Sequence, residues 1–202
     1  KKNCKFCIFI LMQKEVIDDY NLELNKELKL LLKKSYQELS KIEKKSIKLA
    51  FETAKNAHGN QVRKSGEPYI FHPLKVARIV SEEIGLGATS ISAALLHDVV
   101  EDTNITIGDV EILFGKEVSK IVDGLTKISK LSKDKRVSIQ AENFKKMLLS
   151  INDDVRVILI KIADRLHNLI TLDFLSVEKQ VIISSETLFI YAPLAHRIGM
   201  YN

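Results

Sequence analysis

The chain has 202 residues, 46% of them hydrophobic and 28% charged, with only three prolines and eight glycines. That composition excludes a disordered, collagen-like or disulfide-scaffold protein and fits one domain, or a domain with a tail, built from few, long helices. The net charge of +5 lies wholly in residues 1–60, which hold 13 lysines against 8 acids; without an aromatic-interleaved basic motif it reads as a solvated helix face, so no nucleic acid is expected to bind this domain.

The first 20 residues are an extension of uncertain status. Lys1 to Met12 combines a basic start with a short apolar run, but Gln-Lys-Glu follows where a signal peptide needs small residues. The run is too short to span a membrane, so no membrane association is expected. Met12 is a candidate start, which would make the first 11 residues an extension. Cys4-x-x-Cys7 lacks both a second pair and a strand–helix context, so it is read as neither zinc site nor redox pair. Such sparse cysteine use favours a reducing, cytoplasmic location.

Helical periodicity dominates the rest. Leu22, Leu24, Leu28, Leu31 and Leu32 predict a short amphipathic helix; Ile42, Ile47, Leu49, Ala50, Ala54 and Ala57 predict a longer one ending near His58-Gly59. Residues 59–73, GNQVRKSGEPYIFHP, form the clearest loop, the kind of segment in which ligand contacts concentrate. Pro73 is expected to open a helix through about Glu83, and Thr89 or Ser90 to cap the helix carrying AALLHDVVEDT, residues 93–103. Further helices are predicted at about 106–113, 116–127, 137–150, 152–171 and 177–190. No alternating strand pattern occurs, so the fold class is all-α.

The 152–171 helix is apolar around most of its circumference yet carries Asp164, Arg165, His167 and Asn168, and is expected to be central and buried. A buried carboxylate at Asp164 needs a cation, an arginine or a metal beside it. In AALLHDVVEDT, helical spacing lines His97 up with Glu101 and Asp98 with Asp102. A His-Asp pair supplies two ligands of the four to six that a divalent ion needs, and His72 and Asp164 are the candidates for the others. Each residue alone is explained by a surface or core role; together they point to metal binding. Two imidazoles and two carboxylates without a thiolate suit Mn²⁺, Fe²⁺ or Zn²⁺.

The order His72, His97-Asp98, Asp164 resembles the HD-type metal-dependent phosphohydrolases. More narrowly, RKSGEPYIFHP, AALLHDVVEDT, VDGLTKI, QAENFKKMLL, RVILIKIADRLHNLITL and ETLFIYAPLAHRIG resemble successive signatures of the RelA/SpoT-homologue alarmone enzymes, from about residue 45 onward. The resemblance implies an HD-type helical bundle over residues 21–202 that removes the 3′-diphosphate of ppGpp or pppGpp, usually with Mn²⁺. It implies His72, His97, Asp98 and Asp164 as metal ligands, and Glu101, Asp102 and Asn168 as catalytic residues. Arg63, Lys64 and Ser65 would contact the nucleotide, and Thr171 would lie near the guanine. The synthetase and regulatory domains of the larger relatives are expected to be absent, and no synthetase activity is assigned. The alternatives are an HD-type hydrolase of another nucleotide and a non-catalytic alarmone-binding module.

Overall fold

The computed structural model describes residues 19–132 and 154–200. The cysteine pair, Met12 and the helix expected at 137–150 lie outside them. Helix α1 covers residues 19–34 and buries Leu24, Leu28 and Leu31. Helix α2, Lys41–His58, opens on a capping box in which Glu43 N donates to Ser40 Oγ and Ser40 N donates to Glu43 Oε2. It buries Ile47, Ala50, Phe51, Ala54 and His58, the stripe expected of a core-facing helix, and stops at Gly59, whose φ of 50° suits a residue without Cβ.

Helix α3 is Phe71–Arg78 and continues as a π turn, Ile79–Glu83. It starts two residues before Pro73, so His72 sits inside its first turn rather than ahead of it. Proline is tolerated at this third position because N–H groups of a first turn have no intrahelical partner. Helix α4 is Ala88–Leu95, and its N-cap is Gly87, with no side-chain cap from Thr89 or Ser90. The segment expected as one helix through residue 103 is broken: residues 96–98 form a turn, and a single helical turn, α5, Val99–Asp102, follows.

Helices α6, Ile107–Phe114, and α7, Lys116–Ser132, form a hairpin about Gly115. Asp154 caps α8, Val155–Ile170, by accepting from Arg156 N. Helix α9, Val177–Glu186, runs through a π turn, Thr187–Tyr191, into α10, Ala192–Arg197. No strand and no helix long and apolar enough to cross a membrane occurs among the described residues.

The central element is α4, which packs against α2, α3, α7 and α8. Ser90, Ser92, Ala93 and Ala94 are buried there, and such small side chains let four neighbours approach; Ile91, Leu95 and Leu96 fill the remaining space. Full burial of each of these three contributes about 1.5–3 kcal/mol. Helix α8, expected to be buried all round, is buried on one face only. Val157, Ile158, Ile160 and Ala163 enter the core, while Val155, Leu166 and Ile170 stay exposed.

Helices α7 and α8 meet at Gly124, where a Cβ would lie 2.9 Å from Val157 Cγ2. Gly124→Val is therefore expected to lower stability by about 1–3 kcal/mol through overpacking. Val157→Ala in the same chain should recover part of the loss in thermal melts, whereas an unchanged Tm for Gly124→Val would count against this contact.

Candidate metal centre

Three elements bring the site together: the first turn of α3 carries His72, the turn between α4 and α5 carries His97 and Asp98, and one face of α8 carries Lys161, Asp164 and Asn168. Successive side chains on a continuous helix diverge by about 100°. The turn at 96–98 removes that divergence, so His97 Nε2 lies 3.0 Å from Asp98 Oδ2. His72 Nε2 is 3.2 Å from Asp164 Oδ1 and 3.7 Å from Asp98 Oδ2, and His97 Nε2 is 3.8 Å from Asp164 Oδ1. His72, His97 and Asp164 are all buried, and one ligand atom from each lies within 4.8 Å of the others.

The proton positions follow from the partners. The Ala94 carbonyl can only accept, so His97 Nδ1, 2.8 Å away, carries a proton and Nε2 is left to hold a second proton or a metal ion. That buried Nε2 has no hydrogen bond of good geometry although two carboxylate oxygens face it. A lone pair turned toward carboxylates is stable only with positive charge between them, supplied by a proton or a metal ion. Burial works against a charged His97, but Asp98 and Asp164 outweigh it and lift the group to about 9. These nitrogens and oxygens could hold a divalent ion, and a backbone-oriented imidazole is the usual arrangement of a metal ligand.

Each carboxylate is braced. Tyr69 Oη donates to Asp98 Oδ2 at 2.5 Å. Lys161 Nζ donates to Asp164 Oδ2 at 2.8 Å and Asn168 Nδ2 to Asp164 Oδ1 at 2.7 Å. Burial opposes the charge on Asp164, but Lys161 and the two histidines prevail and hold it well below the usual carboxylate range. The cation that sequence demanded beside Asp164 is thus present as Lys161, one turn earlier on the same helix.

Above this floor opens a cavity of about 270 Å³, and Arg63, Glu101 and Asp102 contribute to its wall. Glu101 is half-buried and Asp102 exposed, and both backbone N–H groups donate to the Asp98 carbonyl, which fixes α5 against the ligand turn. Arg63 sits on a tight hairpin closed by Arg63 N donating to Glu67 O, with Gly66 at φ +85° making the reversal. Its guanidinium donates to His167 Nδ1 at 3.1 Å, Asn168 Oδ1 at 3.0 Å and Thr171 Oγ1 at 3.4 Å. Lys64 is exposed and Ser65 half-buried at the hairpin tip, and neither lines the cavity. Thr171 instead borders a neighbouring cavity of about 350 Å³, shared with His167 and Lys75.

Nine of the 11 proposed site residues therefore line the cluster or the two cavities, while Lys64 and Ser65 lie on the hairpin beside them and line neither. Sequence reading missed three: Tyr69, Lys161 and His167. Lys161 and His167 share the α8 face of Asp164 at i−3 and i+3, which was the available signal. Tyr69 gives none, because its contact with Asp98 spans two elements.

The HD domain family model matches residues 50–201. The chain is 49% identical over 158 residues to the bifunctional (p)ppGpp synthase/hydrolase SpoT of Escherichia coli K12, covering 78% of this chain and 22% of that protein. It is 52% identical over 157 residues to a GTP pyrophosphokinase of Myxococcus xanthus, covering 76% and 21%. A solved structure described as a metazoan ortholog of SpoT that hydrolyzes ppGpp superposes with a TM-score of 0.61 at 28% identity, over 81% of this chain and 99% of that one. The chain belongs to the HD domain family. Within it, the fold and the matched blocks set it among the RelA/SpoT homologues, and it spans about a fifth of the length of the curated relatives it matches.

Metal linkage gives a direct check. MnCl₂ at about 100 times its Kd should add about 2.7 kcal/mol, raising Tm by about 5–10 °C for a chain of this size. EDTA should reverse the shift and Asp164→Asn should abolish it; a wild-type Tm indifferent to MnCl₂ and EDTA would remove the case for the centre.

Proposed function

We propose that this chain hydrolyses the 3′-diphosphate of ppGpp or pppGpp, giving GDP or GTP and pyrophosphate, with Mn²⁺ held by His72, His97, Asp98 and Asp164. Residues 21–202 are the unit assigned to this activity. The observation that carries the reading is the convergence of two imidazoles and two carboxylates beneath a cavity whose rim bears Arg63. The names of the E. coli relative and the metazoan structural neighbour support the choice of substrate.

The chemistry divides among the residues. A divalent ion in the centre supplies Lewis acidity, lowering the pKa of a bound water and neutralising phosphate charge. Glu101, on the cavity wall, orients the attacking water and takes its proton, and Asp102 beside it assists. Attack at the phosphorus attached to the ribose breaks the P–O3′ bond; the ribose oxygen takes a proton and pyrophosphate leaves. Asn168 holds Asp164 Oδ1 with its amide N–H and Arg63 with its carbonyl, so it keeps the ligand and the phosphate-binding cation in register. Arg63 meets the diphosphate, Lys64 and Ser65 meet the nucleotide from the hairpin tip, and the purine lies toward Thr171, where the second cavity offers room.

Incubation of the chain with ppGpp and MnCl₂ should release pyrophosphate as one unit. Glu101→Gln should lower kcat about 10²–10⁴-fold, the usual yield of a general base. At saturating MnCl₂, Arg63→Ala should act mainly on KM. Release of stepwise phosphate, or tight ppGpp binding without turnover at any Mn²⁺ concentration, would overturn the reading.

A further inference from the structure

We propose that His167 is a positioning residue for the metal centre: Arg63 fixes its ring tautomer, and His167 in turn fixes which nitrogen of His72 faces the ligand cluster. The inference rests on the metal reading of the site.

The proton order is forced by what each group can do. A guanidinium only donates, and Arg63 Nη1 stands 3.1 Å from His167 Nδ1. That nitrogen is therefore the acceptor, and the His167 proton lies on Nε2. His72 Nδ1 stands 2.8 Å from the same atom, so a hydrogen bond between the rings requires His72 to donate. His72 then bears its proton on Nδ1 and its lone pair on Nε2, the atom 3.2 Å from Asp164 Oδ1.

The opposite order fails twice. A proton on His167 Nδ1 would set two donors against each other at Arg63, and it would leave His72 presenting an N–H where a ligand lone pair is required. No water fits between the rings, because their two Nδ1 atoms are 2.8 Å apart and both residues are buried. His97 reaches the same state by a separate device, its Nδ1 donating to the Ala94 carbonyl. One ligand histidine is thus set by the backbone of α4. The other is set by a side-chain relay that begins on the hairpin loop.

Two readouts test this without any nucleotide, so they fail independently of the proposed activity. In two-bond ¹H–¹⁵N spectra, with the five histidines assigned by substitution, His167 should appear as the Nε2–H tautomer in the metal-free protein, and His72 as the Nδ1–H tautomer once diamagnetic Zn²⁺ is bound. His167 observed as Nδ1–H would overturn the proposal. In calorimetric titration with MnCl₂, His167→Phe should weaken binding about 10–100-fold, the usual cost of removing a partner behind a ligand. His167→Asn, whose Oδ1 can accept in place of Nδ1, should recover most of it, a rescue that a purely packing role would not give. Thermal melts establish that both variants fold, and the wild-type spectra need no variant. Equal Mn²⁺ affinity in wild type and the Phe variant would overturn the relay alone; no Mn²⁺ uptake by wild type would overturn the relay and the metal reading together.

Discussion

Two carboxylates and two imidazoles packed against an apolar helical core dictate what surrounds them. An ionised carboxylate without a partner costs several kcal/mol in such a setting. Accordingly each oxygen named here has a donor or cation nearby: Tyr69 at Asp98, and Lys161 and Asn168 at Asp164. Removing one member of a buried pair such as Lys161–Asp164 typically costs about 3–5 kcal/mol, because the other charge is stranded. The same residues that keep the fold from rejecting its buried acids also hold those acids at fixed orientations, so stability and site geometry are supplied by one set of contacts.

The break between α4 and α5 is the second requirement. Had residues 88–102 formed one helix, His97 and Asp98 would have pointed to different faces and could not have met at 3.0 Å. The turn costs α4 its last hydrogen bonds, and Leu96, fully buried at the turn itself, anchors it by packing. The Asp98 carbonyl then receives two N–H groups from α5, so the ligand turn also fixes the position of Glu101 and Asp102.

Much of this was legible from residue order. The all-α class followed from 3.6-residue periodicity, and the proposed ligand set from the placement of His72, His97, Asp98 and Asp164 on helical segments. Burial of His72, His97 and Asp164 agrees with that reading. What periodicity could not show is where a helix breaks without glycine or proline: HDVVED contains neither, and Leu95, Leu96 and Val99 are fully buried around the turn at 96–98. Periodicity also overstated the burial of α8, since it registers apolar residues without knowing whether a neighbour covers them. Tyr69 and the Arg63–His167 contact span 29 and 104 residues, respectively, and have no local signature at all.

Helix α8 ties these features into one mechanical unit. Lys161, Asp164, Asn168 and Thr171 recur at spacings of three and four and so share one face. From Asp164 to Thr171 the helix rises about 10 Å, enough to separate the proposed metal ligand from the hydroxyl assigned to the nucleotide. Because the helix is rigid on the scale of a hydrogen bond, the ligand oxygen of Asp164 and the partners of Arg63 cannot shift separately. Arg63 is different: it reaches this face from a hairpin held by its own backbone hydrogen bonds. Any movement of the rim relative to the floor must therefore occur at the hairpin, and His167, which touches both Arg63 and His72, is where such a movement would first be felt by the ligand set.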